Sequence, residues 1–293
     1  MMITVNILGG LGNQMFQYAF AYAVSQKKKE VLKLDINNFE AYSLRDFELD
    51  SYNINMDLVS KEEAKKLKYK NENIFDKILR KIRRKSPPLS NQYYKEPHFY
   101  FDKNVFDINN GDSYFEGYWQ SEKYFKEYRK DLLMQFTLRK EIHLQGQQYR
   151  EKIKSTESVS LHIRRGDYVA NTHTNSVHGI CSLEYYKDAV LNIEEKVGNI
   201  HLFIFSDDLN WAKENLDFID NITFIELPED VPDHEEMYLM SLCKHNIIAN
   251  SSFSWWGAWL NQHENKMVIA PKLWFNDISI DTSDLIPEDW MCL

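Results

Sequence analysis

Two adjacent arginines, Arg164 and Arg165, follow an apolar segment at 158–163 that we interpret as a buried strand. Ligands of open α/β sheets bind at the carboxyl ends of strands, and the planar arginine fork matches phosphate oxygens and keeps its charge. A guanidinium there can also neutralise charge on a departing diphosphate. The alternative is a structural ion pair with Asp167 at the mouth of the loop. We favour an anion site, because paired arginines at a buried strand end are costly when nothing anionic is bound.

A second candidate is the glycine-rich loop at 9–14, which joins a short apolar strand to a helix-like apolar run. Free N–H groups and the positive end of a helix suit anions. The dinucleotide fingerprint nevertheless fails, because the third glycine position after Gly10 and Gly12 carries a methionine. A tight strand-to-helix turn is therefore the alternative. The amides of Asn13 and Gln14 favour a polar site, since they can hydrogen-bond sugar hydroxyls.

Adjacent carboxylates follow another predicted strand, at Ser206, Asp207 and Asp208. They could hold a metal, accept hydrogen bonds from a base or ribose, or cap the next helix. The capping alternative carries equal weight. The metal interpretation is weaker, because the sequence has no Asp-x-Asp triplet and no His/Cys cluster at ligand spacing.

The start of a predicted helix at 250–254 combines an amide, an aromatic ring and three hydroxyls, in Asn250, Ser251, Ser252, Phe253 and Ser254. N–H and O–H donors at a helix N-terminus form an anion pocket, although helix capping alone would also explain the serines. Three tryptophans follow, at Trp255, Trp256 and Trp259. Their helical spacing predicts that at least two of them are core residues.

Strand-like and helix-like segments alternate twice along the chain. The first series runs from a strand at 3–8 through the glycine loop and a helix to a strand at 31–35. This βαβ order favours a parallel sheet. A second series begins with the strand at 158–163 and continues through a helix at 183–197 and a strand at 201–205. The pattern predicts an α/β protein with two Rossmann-like, doubly wound domains that face each other across a cleft.

The charge of the chain is negative overall and unevenly placed. The formal net charge of −9 argues against nucleic acid as a partner. Between Lys61 and Lys85, however, eleven Lys/Arg residues face four acids. The basic segment 76–85 has apolar residues along one side and could make a peripheral contact with an anionic membrane. The alternative, which we favour, is a solvated helix packed on its domain.

Targeting and redox signals are few. The first residues lack a basic region, and glycines end the apolar run early, which predicts neither a signal peptide nor a membrane anchor. Three scattered cysteines are too few for a disulfide framework or a zinc site. We therefore expect a cytoplasmic protein, which could also bind peripherally to the inner face of the membrane.

Three motifs, at 9–18, 162–168 and 248–256, together resemble glycosyltransferase family 11, the bacterial-type α-1,2-fucosyltransferases. The second motif is also similar to the donor motif of the α-1,6- and protein O-fucosyltransferases. The resemblance implies a GT-B fold, with an acceptor-side domain at 1–150 and a donor-side domain at 151–293. It also implies an inverting, metal-independent transfer of L-fucose from GDP-β-L-fucose to the 2-hydroxyl of a terminal β-galactose.

The resemblance implies roles for individual residues as well. Arg164 would contact the diphosphate and help fucose leave, His162 would support the same site, and Asn13 would lie near the reacting sugars. Asp208, rather than Asp207, would contact the donor. The other donor-binding residues implied are Gly10, Gly12, Arg165, Asp167, Ser206, Asn250, Ser251, Ser252, Phe253 and Ser254. No cofactor is expected, and the partners would be GDP-fucose and a galactose-terminated oligosaccharide.

The general base stays unassigned, because Asp35, Glu116 and His98 are candidates by position only. Two other functions compete with the one above. One is a GDP-sugar-dependent fucosyltransferase of another linkage, and the other is a non-catalytic protein that binds a GDP-sugar or carbohydrate.

Overall fold

The structure, a computed structural model, describes residues 1–40, 45–108, 111–166, 179–216 and 220–293. The chain divides into two compact units, Met1–Thr137 and Leu138–Leu293. The division lies before the predicted one at 150/151, because residues 138–150 pack on the second unit. Ile142 belongs to a core cluster of that unit, and the backbone N–H of His143 donates to Glu235 Oε2 at 2.8 Å.

The first unit is built on a four-stranded parallel sheet in the order β2-β1-β4-β3. Its strands are β1 (Met2–Asn6), β2 (Val31–Asp35), β3 (Tyr93–Lys95) and β4 (Ser113–Glu116). Its described helices are α1 (Leu11–Lys28), α2 (Lys61–Lys68), α3 (Ile74–Ile82) and α4 (Arg129–Gln135). The basic region at 61–85 contains two helices, α2 and α3.

The second unit is built on a six-stranded parallel sheet in the order β10-β9-β8-β5-β6-β7. Its strands are β5 (Ser158–Ile163), β6 (His201–Ser206), β7 (Ile222–Phe224), β8 (His245–Ile247), β9 (Val268–Ala270) and β10 (Met291–Cys292). Its described helices are α5 (Leu144–Lys154), α6 (Leu183–Val197), α7 (Leu209–Asn215), α8 (Asp233–Leu242) and α9 (Ser252–Leu260).

Alternating side chains of the central strands bury both faces of this second sheet. Leu202 and Ile204 of β6 pack in one apolar cluster with α6 and α7, whereas Phe203 and Phe205 pack in another with α5 and α8. Two covered faces explain why the interior of β6 is a continuous apolar run, as in many parallel strands. Each unit is therefore a parallel α/β layer structure, as predicted.

Both sheets reverse their direction of winding beside the first strand of their unit. In the first sheet β1 lies between β2 and β4, and in the second β5 lies between β6 and β8. Such a reversal opens a crevice outside the carboxyl ends of the two diverging strands. Each unit therefore has one switch point, at β1/β4 and at β5/β8. None of the described helices is long and apolar enough to cross a membrane.

Candidate functional site

The switch point of the second sheet brings together the residues that follow β5, β6 and β8. Ile163 is the register partner of Ser206, and Leu161 is the partner of Ile247. The loops that begin at Arg164, Asp207 and Ile248 therefore leave the same edge of the sheet. Three of the four predicted polar clusters meet there.

Asp207 organises the arginine loop. Its Oδ2 lies 3.1 Å from Arg164 Nη1, and its Oδ1 accepts a hydrogen bond of 2.8 Å from the backbone N–H of Arg165. Gly166 lies against the same aspartate, because a Cβ there would be 3.3 Å from Asp207 Cγ. Asp207 thus contacts both arginines of the site, the side chain of Arg164 and the backbone of Arg165.

Asp208 instead caps α7, as the capping alternative predicted. Its Oδ1 accepts from the backbone N–H of Trp211 at 3.2 Å, and its own N–H donates to Ser206 Oγ at 2.9 Å. Asp208 Oδ2 also lies 3.8 Å from Arg165 Nε, and the Arg165 guanidinium stacks over the Trp211 ring at 4.1 Å. These contacts hold Arg165 beside Arg164, which concentrates positive charge at the strand end.

His162 is a buried, neutral residue beneath the arginines. Burial, with a smaller contribution from the positive charge of Arg164, lowers the pKa of His162 to about 3. Its ring lies 5.9 Å from the Phe253 ring, so it joins the loop after β5 to the start of α9. Its Nδ1 has no hydrogen-bond partner among the described residues. A neutral imidazole can accept or donate a hydrogen bond there without adding charge.

The N-terminus of α9 lies at the end of β8. Ser251 is its N-cap and accepts from the backbone N–H of Phe253 at 3.3 Å, and residues 251–253 are half-buried. Ser254 turns inward and bonds to the carbonyl of Ser251 at 3.3 Å. Asn250 is also internal, since its Nδ2 donates to carbonyls at Gly179 and Trp274. Ser251, Ser252 and Phe253 are therefore the members of this cluster that remain accessible.

Buried packing fixes the position of α9. At least two of the three tryptophans were predicted to be core residues, and all three are buried, at Trp255, Trp256 and Trp259. Gly257 allows close approach to α8, because a Cβ there would lie 2.9 Å from Met240 Cβ. At the other end of the helix, Asn261 Nδ2 donates to Asn246 Oδ1 at 2.7 Å. The helix start is thus set by a rigid core.

One further carboxyl group lies near the arginine site. Burial raises the pKa of Glu236, in the first turn of α8, to about 7, with smaller contributions from Asp233 and Asp207. A raised carboxyl pKa beside the charges of a strand-end site is typical of functional sites, although structural networks produce it too. No sequence motif marks Glu236, because its link to the arginine site runs through Asp207, which is distant along the chain.

The glycine loop of the first unit forms a tight turn at the β1/β4 switch point. Gly9 has a φ of 81°, and Gly10 precedes the first residue of α1. Gln14 is buried and bonds to the carbonyls of Gly9 and Asp46, at 2.9 and 2.8 Å. The expectation that Gln14 contributes a free amide was wrong, because these contacts occupy it.

Asn13 is the amide of this loop that stays half-exposed. Its Oδ1 accepts a 2.7 Å hydrogen bond from Gln120 Nε2, which follows β4 across the switch point. Gly12 is buried within α1, whereas Gly10 is half-buried and lies beside the side chain of Arg45. Gln120 and Arg45 are two polar neighbours of the loop that no sequence motif indicated.

The loop after β4 depends on a second carboxyl group with a raised pKa, that of Glu96. Glu96 accepts hydrogen bonds from the backbone N–H groups of Tyr118 and Trp119, at 2.7 and 3.0 Å. Burial raises the pKa of Glu96 to about 7, against the lowering effect of those two bonds. Trp119 has a φ of 57° and stacks on Phe20 at 3.9 Å. Glu96 thereby holds the turn that presents Gln120 to Asn13.

The three positions considered for a general base already have structural contacts. Asp35 is buried and accepts from Tyr114 Oη at 2.7 Å. Glu116 pairs with Lys68, and His98 stacks on Tyr100 with a 3.5 Å centroid separation. Within the described ranges, no group of three His, Cys, Asp or Glu side chains is placed to hold a metal.

The predicted site residues therefore fall into two groups. The second switch point brings together His162, Arg164, Arg165, Ser206, Asp208 and residues 250–254, whereas Gly10, Gly12 and Asn13 lie in the first unit. Asp167 lies outside the described residues. The residues at the second switch point can bind an anion, because they place two guanidinium groups, hydroxyls and a helix N-terminus at one edge of the sheet.

Two α/β units, each built on a parallel sheet, are the architecture of the GT-B fold class. Solved structures agree with this fold class. The fucosyltransferase NodZ from Bradyrhizobium aligns with a TM-score of 0.51 and 13% identity, over 87% of this chain and 90% of that chain. A variant of Arabidopsis thaliana FUT1 in complex with GDP aligns with a TM-score of 0.50 and 11% identity, over 91% and 69%. The GT-B prediction is confirmed.

The chain belongs to Glycosyl transferase family 11, which it matches over residues 2–293. An α-1,2-colitosyltransferase of Escherichia coli is 38% identical, over 99% of this chain and 98% of the relative. The O-antigen biosynthesis glycosyltransferase WbnK of Escherichia coli is 35% identical, over 97% and 98%. Galactoside α-(1,2)-fucosyltransferase 2 of Rattus norvegicus is 23% identical, over 88% and 67%. The chain is therefore a glycosyltransferase, and the predicted family is confirmed.

Proposed function

We propose that the chain is a galactoside α-1,2-L-fucosyltransferase. It moves L-fucose from GDP-β-L-fucose to the 2-hydroxyl of a terminal β-galactose, with inversion at the anomeric carbon. The observation that carries the proposal is the Arg164–Arg165 pair, held by Asp207 at the second switch point. Family membership and the α-1,2 linkage in the names of two relatives support the sugar and the bond.

In the proposed donor complex, Arg164 contacts the diphosphate and stabilises the charge that develops as fucose leaves. Arg165 adds a second guanidinium, and neutral His162 supports the site from below. The accessible N-terminus of α9 supplies N–H and O–H donors from Ser251 and Ser252, while Phe253 borders the nucleoside. Asp207 positions both arginines, a role assigned in place of the donor contact predicted for Asp208.

The acceptor side of the proposal rests on the first unit. The half-exposed amide of Asn13, oriented by Gln120, binds a hydroxyl of the acceptor sugar. The reaction is one displacement, in which the C1–O bond to the diphosphate breaks as the galactose 2-oxygen bonds to C1. The hydroxyl proton is released to solvent in this step, and GDP leaves with the electron pair of the broken bond. We expect no metal requirement, so that transfer continues in EDTA.

A second donor has support of its own, because the 38% identical relative is named as a colitosyltransferase. Colitose differs from L-fucose in lacking the 3-hydroxyl. A site that hydrogen-bonds this hydroxyl rejects the deoxy sugar strongly, whereas a site that leaves it unbound accepts both. The donor preference therefore reports whether a protein group binds the 3-hydroxyl.

The test is incubation of the chain with GDP-fucose or GDP-colitose and lactose, followed by measurement of GDP release and of product linkage by NMR. The proposal predicts a fucosyl-α-1,2-galactose product and a faster reaction with GDP-fucose. Faster transfer from GDP-colitose would support the second donor. GDP release without a lactose product would point to another acceptor or linkage, and no GDP release would favour a binding protein.

A further inference from the structure

Helix α3 exposes an apolar face. None of its residues is buried, and Ile74, Phe75, Ile78 and Ile82 remain 80, 70, 52 and 72% exposed. Their spacing of i, i+1, i+4 and i+8 places them on one side of a helix. The expectation that this segment packs on its domain was wrong, because the apolar side is the side that faces solvent.

The two ends of the α3 segment are joined to each other, although the helix itself is exposed. Tyr69 and Leu89 form an isolated antiparallel bridge, and the N–H of Lys70 donates to the carbonyl of Pro88 at 2.9 Å. The helix has its own N-cap, since Asn73 accepts from the N–H of Asp76 at 2.8 Å. The exposed face is therefore part of an ordered helix between two paired segments.

Basic residues surround the apolar face. The stretch 76–85 has one acid, Asp76, and six basic side chains, at Lys77, Arg80, Lys81, Arg83, Arg84 and Lys85. Only Arg80 of these has a close carboxylate partner in the described contacts, Glu72, at 2.8 and 2.9 Å. Lys77 and Lys81 lie next to the apolar arc on the helix, where long basic side chains can extend to a charged surface. The combination is that of an interfacial helix, with apolar residues on one face and basic residues around it.

We propose that α3 binds an anionic lipid surface, with Ile74, Phe75, Ile78 and Ile82 in the headgroup–acyl boundary and the flanking lysines and arginines on the lipid phosphates. Charge complementarity favours this partner over a second copy of the chain, whose formal net charge is −9. Size favours it too. A nine-residue helix is only about 14 Å long, and one face of it falls well short of the roughly 800 Å² per partner of a standard protein interface.

The experiment is co-sedimentation of the full chain with sucrose-loaded vesicles of phosphatidylcholine, with and without phosphatidylglycerol. The proposal predicts binding to the phosphatidylglycerol vesicles that weakens with added salt. The combined variant Ile74→Ser, Phe75→Ser, Ile78→Ser and Ile82→Ser should lose binding by at least about 100-fold, because four apolar side chains no longer enter the interface. Replacing Arg83, Arg84 and Lys85 by Gln should weaken binding and its salt dependence together.

The matched control is Leu273→Ser with Ile278→Ser, which removes two exposed apolar side chains from the second unit and should leave binding unchanged. Thermal unfolding checks that every variant is folded, and transfer to lactose should be equal in all of them. Absent binding to phosphatidylglycerol vesicles, or equal binding by the serine variant, would overturn the proposal. Self-association in solution that the serine variant abolishes, without vesicle binding, would assign the face to a second copy.

Discussion

Asp207 and Asp208 are neighbours in sequence but have different partners. Asp207 contacts Arg164 and the backbone of Arg165, whereas Asp208 caps α7 and lies at longer range from Arg165. Asp207 neutralises part of the charge that a diphosphate would meet, and it also fixes where that charge lies. The second effect should dominate, because an arginine that is free to rotate loses its preorganisation for the transition state.

Asn variants of the two aspartates separate these roles. Asp207→Asn keeps one acceptor oxygen but loses the ion pair, so the KM for the GDP-sugar should rise about 10-fold and kcat should fall. Asp208→Asn keeps an N-cap side chain, and both stability and KM should change little. Steady-state kinetics and thermal unfolding of the two variants measure the contrast. Equal kinetic losses in both would refute the assignment of Asp207 as the positioning residue.

The low pKa of His162 has a consequence for stability. The folded protein excludes a proton that the unfolded chain binds near pH 6.5, because His162 has a pKa of about 3 when buried. The contribution of neutral His162 to the free energy of unfolding is therefore fully present above pH 6.5. It declines as the pH falls toward 3, and the loss at pH 5 is about 2 kcal/mol. Glu96 and Glu236 act in the opposite direction, since their raised pKa values favour the folded state as the pH falls below about 7.

The effect of His162 is isolated by comparing the pH dependence of stability in the wild type and in a variant. Urea unfolding of the wild type and of His162→Gln, each at about pH 7.5 and pH 5, should show that the variant loses about 2 kcal/mol less stability on acidification. The comparison cancels the contributions of the two glutamates. An identical pH dependence in both proteins would show that His162 is not held in its neutral form.

At the scale of single residues, the sequence predicted chemistry better than contacts. Adjacent arginines after a buried strand indicated an anion site, since two positive charges at a buried edge are unfavourable unless an anion compensates them. Whether Asp207 or Asp208 meets them depends on which carboxylate faces back toward β5, and adjacent positions look alike in a sequence. Glu96, Glu236 and Gln120 have partners more than 20 residues away along the chain, so no local pattern marks them.

Helix α9 depends on close contact with α8. A Cβ at Gly257 would lie 2.9 Å from Met240 Cβ, which is too short for a real contact, and 3.1 Å from Met240 Sδ, which is tighter than most real contacts. Gly257→Ala should therefore destabilise the second unit by about 1–3 kcal/mol. It should also raise the KM for the GDP-sugar, because the helix start at Ser251 moves with the helix.

A second substitution provides the control for Gly257. In a Met240→Ala background the added methyl group enters the space left by the methionine, so Gly257→Ala should cost less than it does in the wild type. Thermal or urea unfolding of the four proteins of this cycle measures the coupling. Full additivity of the two changes would mean that α8 and α9 do not touch at this point.

At the scale of elements, the pattern of apolar residues was sufficient to predict most of the strands and helices. The limits of β2, β5 and α6 agree with the predicted segments at 31–35, 158–163 and 183–197. Strands β3 and β10 were not predicted, because Tyr93–Lys95 and Met291–Cys292 lack the branched apolar run that marks most of the other short strands. The basic segment was predicted as one packed helix, since a helical pattern does not specify whether its apolar face finds a partner.

The whole molecule repeats one arrangement twice. Each unit has a parallel sheet whose winding reverses beside its first strand, and a predicted motif begins at each reversal. Asn13, paired with Gln120, lies at β1/β4, and the arginine pair lies at β5/β8. The alternation of strands and helices predicted two such units. It did not locate their division at Thr137, because α5 looks the same in sequence whichever unit it packs on.

The assignment of the second switch point to the GDP-sugar is tested most directly by the rate of sugar transfer in Arg164→Ala. With GDP-fucose and lactose, we predict that transfer falls at least about 100-fold, while the unfolding temperature and circular dichroism stay close to those of the wild type. Arg139→Ala, at an exposed arginine of the same unit, should transfer at the normal rate. Near-normal turnover by a folded Arg164→Ala protein would contradict the account.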